Sequence, residues 1–223
     1  MHLFDQIRTY NVRIKSEMTN FLRQFSRFLF FALIIFELLN QAGVLHFTLD
    51  FTWFGLVITS VIAWLIVETI SYFLRKSCGY PLAGWAMLIA AAAVYQDALG
   101  DILRFYGRFG WYDQSAHFLG GAAAGGLLLV IINNFNRCGK IKLGYIGRGI
   151  FALFAASFFG ALYELEEYFE DFFTGSHRLG DGPDTANDLF LNLLGALTII
   201  LIITVVRSKY RSYVVGEEGV EPS

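Results

Sequence analysis

Six apolar stretches, at roughly residues 28–45, 52–73, 82–103, 114–132, 146–170 and 186–206, alternate with short polar segments along the chain. Each approaches or exceeds the ~20 residues that a helix needs to cross ~30 Å of hydrocarbon. The two-residue alternation of a membrane barrel is absent. The pattern predicts an all-α fold, a polytopic membrane helical bundle with six transmembrane helices, and an even number of crossings puts both ends of the chain on one side. Ahead of the first stretch, Leu3, Ile7, Tyr10, Ile14, Met18, Phe21 and Phe25 recur at three- and four-residue steps, with Arg8, Arg13, Lys15, Arg23 and Arg27 between them. That periodicity predicts an N-terminal interfacial helix lying on an anionic leaflet. Three regions follow: an amphipathic basic segment over 1–27, a six-helix transmembrane domain over 28–206, and a polar tail over 207–223.

Composition agrees: 56% of the 223 residues are hydrophobic, 16% are charged, and there are 23 Phe. These are the proportions of an integral membrane protein. The near-neutral net charge of -2 hides a segregation that sets orientation. Fourteen Lys and Arg fall before the first stretch, in the 74–81 and 133–148 segments and after residue 206, whereas the opposite side has Arg104, Arg108 and Arg178. The positive-inside rule then places both termini in the cytoplasm. No basic block interleaved with aromatics points to nucleic acid. Cys78 and Cys138 lie in different interhelical segments without metal-ligand spacing, so both are expected to be free thiols. The N-terminus shows no short apolar region followed by a small-residue cleavage site, and no removable signal peptide is expected.

The acidic residues change the picture most. Eleven of nineteen carboxylates fall between Tyr95 and Asn192, at the ends of the last four apolar stretches that the charge count places outside. Asp97 and Asp101, Asp113 and His117, and Asp184, Asp188 and Asn192 are spaced by four, while Glu164, Glu167 and Asp171 are spaced by three and four. Each set shares a helix face. Four helices presenting such stripes at one depth is how carboxylate and imidazole sites are built in bundles. So many acids with three nearby cations must bind a metal, share protons or sit apart in water. Oxygen ligands with one His suit a divalent ion such as magnesium, manganese, calcium or zinc. The candidate ligands are Asp97, Asp113, His117, Glu164, Glu167, Asp184, Asp188 and Asn192, with His117 or Glu164 as general base.

A simpler account competes for some of these positions. Asp184 or Thr185 would cap the last helix, with Thr185-Ala-Asn-Asp188 as a capping box. Asp181, Glu166, Glu170 and Asp171 flank the loop and read as solvated groups. Gly120-Gly121-Ala-Ala-Ala-Gly125-Gly126 gives a small-residue face for close helix packing, and Gly160 and Gly195 read the same way. Glu37 and Glu68 are isolated acids that face the bundle interior or, for Glu68, snorkel to the interface.

Asp97, the Trp111-Tyr-Asp113-x-x-x-His117 segment, Tyr163-Glu164-x-x-Glu167 and Asp184-x-x-x-Asp188-x-x-x-Asn192-x-x-Gly195 together resemble the YjdF-type family of uncharacterised bacterial inner-membrane proteins. More distantly, the chain is similar to VanZ-like proteins, whose usual Glu-x-x-Gln is Glu164-x-x-Glu167 here. The resemblance implies a small multi-pass protein of the bacterial inner membrane, with VanZ-like relatives linked to low-level glycopeptide resistance.

Two classes of function are open. One is a metal-dependent membrane hydrolase acting on a lipid or lipid-linked envelope substrate, in which the ion polarises a phosphoryl or carbonyl oxygen and activates water. The other is a non-enzymatic protein that binds or transports a cation or protons, or serves as a VanZ-like envelope accessory. No catalytic Ser-His-Asp arrangement, P-loop or dinucleotide loop is visible, and no internal repeat points to a transporter.

Overall fold

The computed structural model describes the backbone of residues 2–218 and the side chains of residues 17–206. Within them the chain is all-helical: α1 (His2–Gln41), α2 (Trp53–Cys78), α3 (Gly84–Ile102), the short α4 (Phe105–Arg108), α5 (Tyr112–Arg137), α6 (Tyr145–Thr174) and α7 (Gly182–Glu218). Every apolar stretch has become a helix. Four of them, α2, α5, α6 and the Gly182–Val206 part of α7, are long and apolar enough to cross a membrane. Of the six expected crossings, four thus have the length and apolarity of a membrane span among the described residues. The other two, α1 and α3, carry more polar residues: α3 has Gln96, Asp97 and Asp101 in its last turns, and α1 has Arg23 and Arg27 just ahead of its apolar run and Glu37 and Asn40 inside it. Both pack against the other helices, α1 on α3 and α2, and α3 also on α5.

No break separates the N-terminal segment from the first apolar stretch, because α1 is one helix through Gln41. The amphipathic positions Leu3, Ile7, Tyr10 and Ile14 have side chains outside the described residues. Met18, Phe21 and Phe25, which continue that ridge, are exposed.

Burial is inverted relative to a water-soluble protein. Large apolar side chains such as Phe154, Phe158, Phe172 and Phe173 are exposed around the outside, while Glu37, Asp101, His117, Glu164, Glu167, Glu170 and Asp188 are buried. Lipid solvates the first group, and polar groups must find partners inside. Glu68 does so by accepting two hydrogen bonds from Arg27, at 2.6 and 2.7 Å. Glu37 accepts one from Ser60 at 2.9 Å and is fully buried.

The tightest helix pair is α5 with α7. A Cβ at Gly121 would strike the backbone of Asn192, and one at Gly195 would strike the carbonyl of Phe118. These two glycines let the backbones touch, which brings the polar ends of α5 and α7 together.

At the other end of the bundle, Cys78 and Cys138, expected as free thiols, are joined in this structure by a disulfide, with Cα atoms 5.4 Å apart. Sixty residues separate them in sequence, but α2 ends at Cys78 and α5 ends just before Cys138, and the packing of α2 on α5 sets those ends side by side.

Candidate metal centre

The site begins with the first turns of α5. Asp113 and His117 lie one turn apart, so both project toward α7, and His117 is 5% exposed. Its Nε2 lies 3.4 Å from Asp113 Oδ1 and 3.7 Å from Asp188 Oδ2 of α7. Its Nδ1 lies 3.1 Å from the Asn192 amide and 3.6 Å from Glu164 Oε1 of α6. Three helices therefore converge on one imidazole. Both Glu164 oxygens and Asp188 Oδ1 are buried without a hydrogen-bond partner, in residues 5% and 2% exposed. An unpartnered buried carboxylate oxygen is costly, so these atoms call for protons or a cation.

Two overlapping sets have ligand atoms within 4.8 Å of one another: Asp113, His117 and Asp188, and His117, Glu164 and Glu167. Two ligands each ~2.1 Å from a tetrahedral metal are roughly 3.4 Å apart, close to the distances at Nε2. The Nε2 set suits an ion better than the Nδ1 set, because Glu167 already accepts a hydrogen bond from Arg178 Nε at 2.9 Å. At Nδ1 the Asn192 amide occupies the position from which an outer partner orients a metal-ligating histidine, with the Glu164 carboxylate just beyond it.

Asp97 belongs to a second, adjoining centre. Its Oδ1 accepts from Tyr106 at 2.8 Å and from Arg178 Nη2 at 2.9 Å. Arg178 also donates to the Tyr163 hydroxyl, lies 3.8 Å from Glu170 Oε2 and sits 5.2 Å from the Phe51 ring centroid. Burial lowers a guanidinium's pKa, but the Tyr163 oxygen and the Asp97 and Glu167 carboxylates outweigh it and hold Arg178 well above the ordinary arginine value. Glu170, expected to be solvated, is buried and is hydrogen-bonded by Thr52. Asp101, one turn from Asp97, accepts from the Asp50 and Phe51 amides at 2.7 and 2.8 Å and ties the α1–α2 connection to the bundle.

Arg178 is the residue that sequence reasoning left without a role. It comes from the α6–α7 loop, which turns back into the bundle through His177 in a left-handed conformation (φ 63°). Asp171 holds that turn by accepting from Ser176 at 2.6 Å, the Arg178 amide at 2.6 Å and the Leu179 amide at 3.0 Å. The signal was present: one cation in a loop between two acid-bearing helix ends.

The capping account of α7 is also revised. Asp181 is the cap, accepting the Asp184 amide at 3.0 Å, because the helix starts at Gly182 rather than near Thr185. Asp184 is therefore an exposed first-turn residue outside both ligand sets, and Asp188 is buried a turn deeper.

Beneath His117 lies a cavity of about 280 Å³ between α2, α3, α5 and α6. His117, Asp97, Tyr106, Tyr163 and Asn192 form its polar end, and the remainder is lined mainly by alanine, glycine and branched apolar side chains.

A helical membrane bundle enclosing an acidic, histidine-centred site is the class of protein this architecture defines. The chain belongs to the family described as "Predicted membrane protein (DUF2238)", whose model matches residues 22–209. A protein of Thermotoga maritima described as "Uncharacterized protein" is 24% identical over 160 residues, covering 66% of this chain and 82% of that protein. No solved structure matches.

Proposed function

We propose that this protein is a metal-dependent hydrolase of the bacterial inner membrane, acting on a lipid or lipid-linked envelope substrate, with the divalent ion held by Asp113, His117 and Asp188. The observation that carries the reading is the pair of 3.4 and 3.7 Å approaches to His117 Nε2, beside buried carboxylate oxygens that lack partners. A divalent ion there would polarise a phosphoryl or carbonyl oxygen and make bound water a nucleophile near neutral pH. Asn192 holds the imidazole at Nδ1, and Glu164, 3.6 Å from that nitrogen, is the nearest carboxylate left to take a proton. In this reading α1 and α3 also cross the bilayer, both termini lie in the cytoplasm, and the site opens toward the outer leaflet; the fourteen-to-three distribution of Lys and Arg supports that orientation. The distant VanZ-like resemblance fits an envelope substrate.

Metal analysis and thermal unfolding of the purified protein in detergent, with added manganese and with a chelator, test the metal. Wild type is expected to carry one ion and to gain stability with manganese, whereas Asp113→Asn and Asp188→Asn gain less. Identical responses in all three would end the metal reading. Metal-dependent release of phosphate or fatty acid from envelope lipids, lost in His117→Ala, would mark the enzyme. A second reading, cation or proton transport, draws on Glu37, which is fully buried in α1 with Oε2 unpartnered. Manganese or proton flux into vesicles without turnover would favour it.

A further inference from the structure

The cavity below His117 is shaped for something the ligand set does not explain. Its wall on α5 runs from His117 to Leu127, ten residues or about 15 Å of helix, yet its volume is only about 280 Å³, so it is a narrow, partly open slot along the helices. Away from His117 it is bounded by Ala63, Ile66, Val67, Ala90 and Leu127. A buried water needs two to four polar partners, and these side chains offer none. Water is therefore excluded from the deep half, and an apolar occupant is favoured. Ten of the lining residues are alanine or glycine, and Gly120 is the clearest case. A Cβ there would meet nothing within 4 Å, unlike one at Gly121, which would strike α7. The chain keeps glycine at position 120 with no backbone packed against it, which leaves the slot open along α5.

We propose that this slot holds one hydrocarbon chain of a lipid whose polar head sits at the His117 centre, and that Gly120 sets the room available to the chain. The assignment rests on the lipid-substrate reading above and deepens it. Hydrocarbon is the solvent around the bundle, so the slot extends the bilayer's interior to within contact of the imidazole. A head group delivered this way reaches the buried centre without crossing water, and the chain holds the scissile bond at one depth.

The test uses the full chain in vesicles of phosphatidylethanolamine and phosphatidylglycerol with a trace of phosphatidylglycerol bearing a diazirine near the end of one acyl chain. After photolysis, crosslinked residues are mapped by mass spectrometry. In wild type, labels are expected on the slot residues Ala63, Ala90 and Leu127 as well as on lipid-facing Phe154 and Phe158. Gly120→Leu, which fills the slot from α5, and Ala93→Leu, which fills it from α3, should each lower slot labelling at least five-fold while lipid-facing labelling is kept. The manganese-induced thermal shift of these variants should match wild type. Labelling of the lipid-facing positions only in wild type, or slot labelling unchanged in either folded variant, overturns the proposal, and the wild-type map decides it even if neither variant folds. Slot labelling in a wild type that ignores manganese would keep the chain site and remove the metal reading. A manganese response without slot labelling would do the reverse.

Discussion

Arg178 shows how one side chain can organise a site from outside it. Its guanidinium is 2% exposed and bridges Asp97 of α3 to Glu167 of α6, with Glu170 close by. Removing it would leave carboxylates buried and uncompensated, a change that costs on the order of 3–5 kcal/mol. Arg178→Ala should therefore unfold at markedly lower denaturant than wild type, and Arg178→Ala combined with Asp97→Asn and Glu167→Gln should recover part of the loss. Full additivity of the three losses would show that these groups act independently. The same residue marks the limit of what the sequence discloses. The four-residue spacing of Asp113 and His117, and of Asp188 and Asn192, follows from helix geometry, and those four residues do meet around one imidazole. Asp97 carries an equally good spacing and turns instead to Arg178, because a loop that folds back through His177 leaves no periodic trace.

At the scale of elements, the pairing of α5 with α7 decides whether the centre exists at all, since Asp113 and His117 come from one and Asp188 from the other. Glycine placement makes this testable without touching a polar residue. Gly121→Ala and Gly195→Ala each put a methyl group into backbone of the partner helix and should separate the two helices. Gly120→Ala, next in sequence, meets open space and should be neutral or stabilising by up to ~1 kcal/mol from helix propensity. Thermal unfolding checks the contrast, with manganese response as a second reading: it should weaken in the first two variants and persist in the third. Equal effects at 120 and 121 would contradict the close approach. The run of small residues in α5 was visible in the sequence as a packing face, but which glycine faces α7 and which faces the cavity was not. That distinction is about 100° of rotation per residue, and it appears only when the neighbouring helices are in place.

For the whole molecule, the charge distribution and the disulfide both bear on which way the bundle faces. Cys78 and Cys138 join α2 to α5 at the end where Arg75, Lys76, Arg137, Lys140 and Lys142 lie. The charge rule assigns that end to the cytoplasm, where thiols are kept reduced, whereas a persistent disulfide belongs to an oxidising compartment. The fourteen-to-three asymmetry acts during insertion and the disulfide can form only afterwards, so orientation should follow the charges. Two measurements then have linked outcomes. A reporter active only outside the cytoplasm should be active when fused within 104–113 or 175–181 and silent after Arg207. In growing cells quenched with acid and alkylated after denaturation, both cysteines should be labelled as thiols, and the bond should appear once the protein is extracted in air. If both cysteines resist alkylation in cells while the 104–113 fusion is silent, the bundle is inverted. The His117 centre would then face the cytoplasm, and any lipid-linked substrate would be met from the inner leaflet.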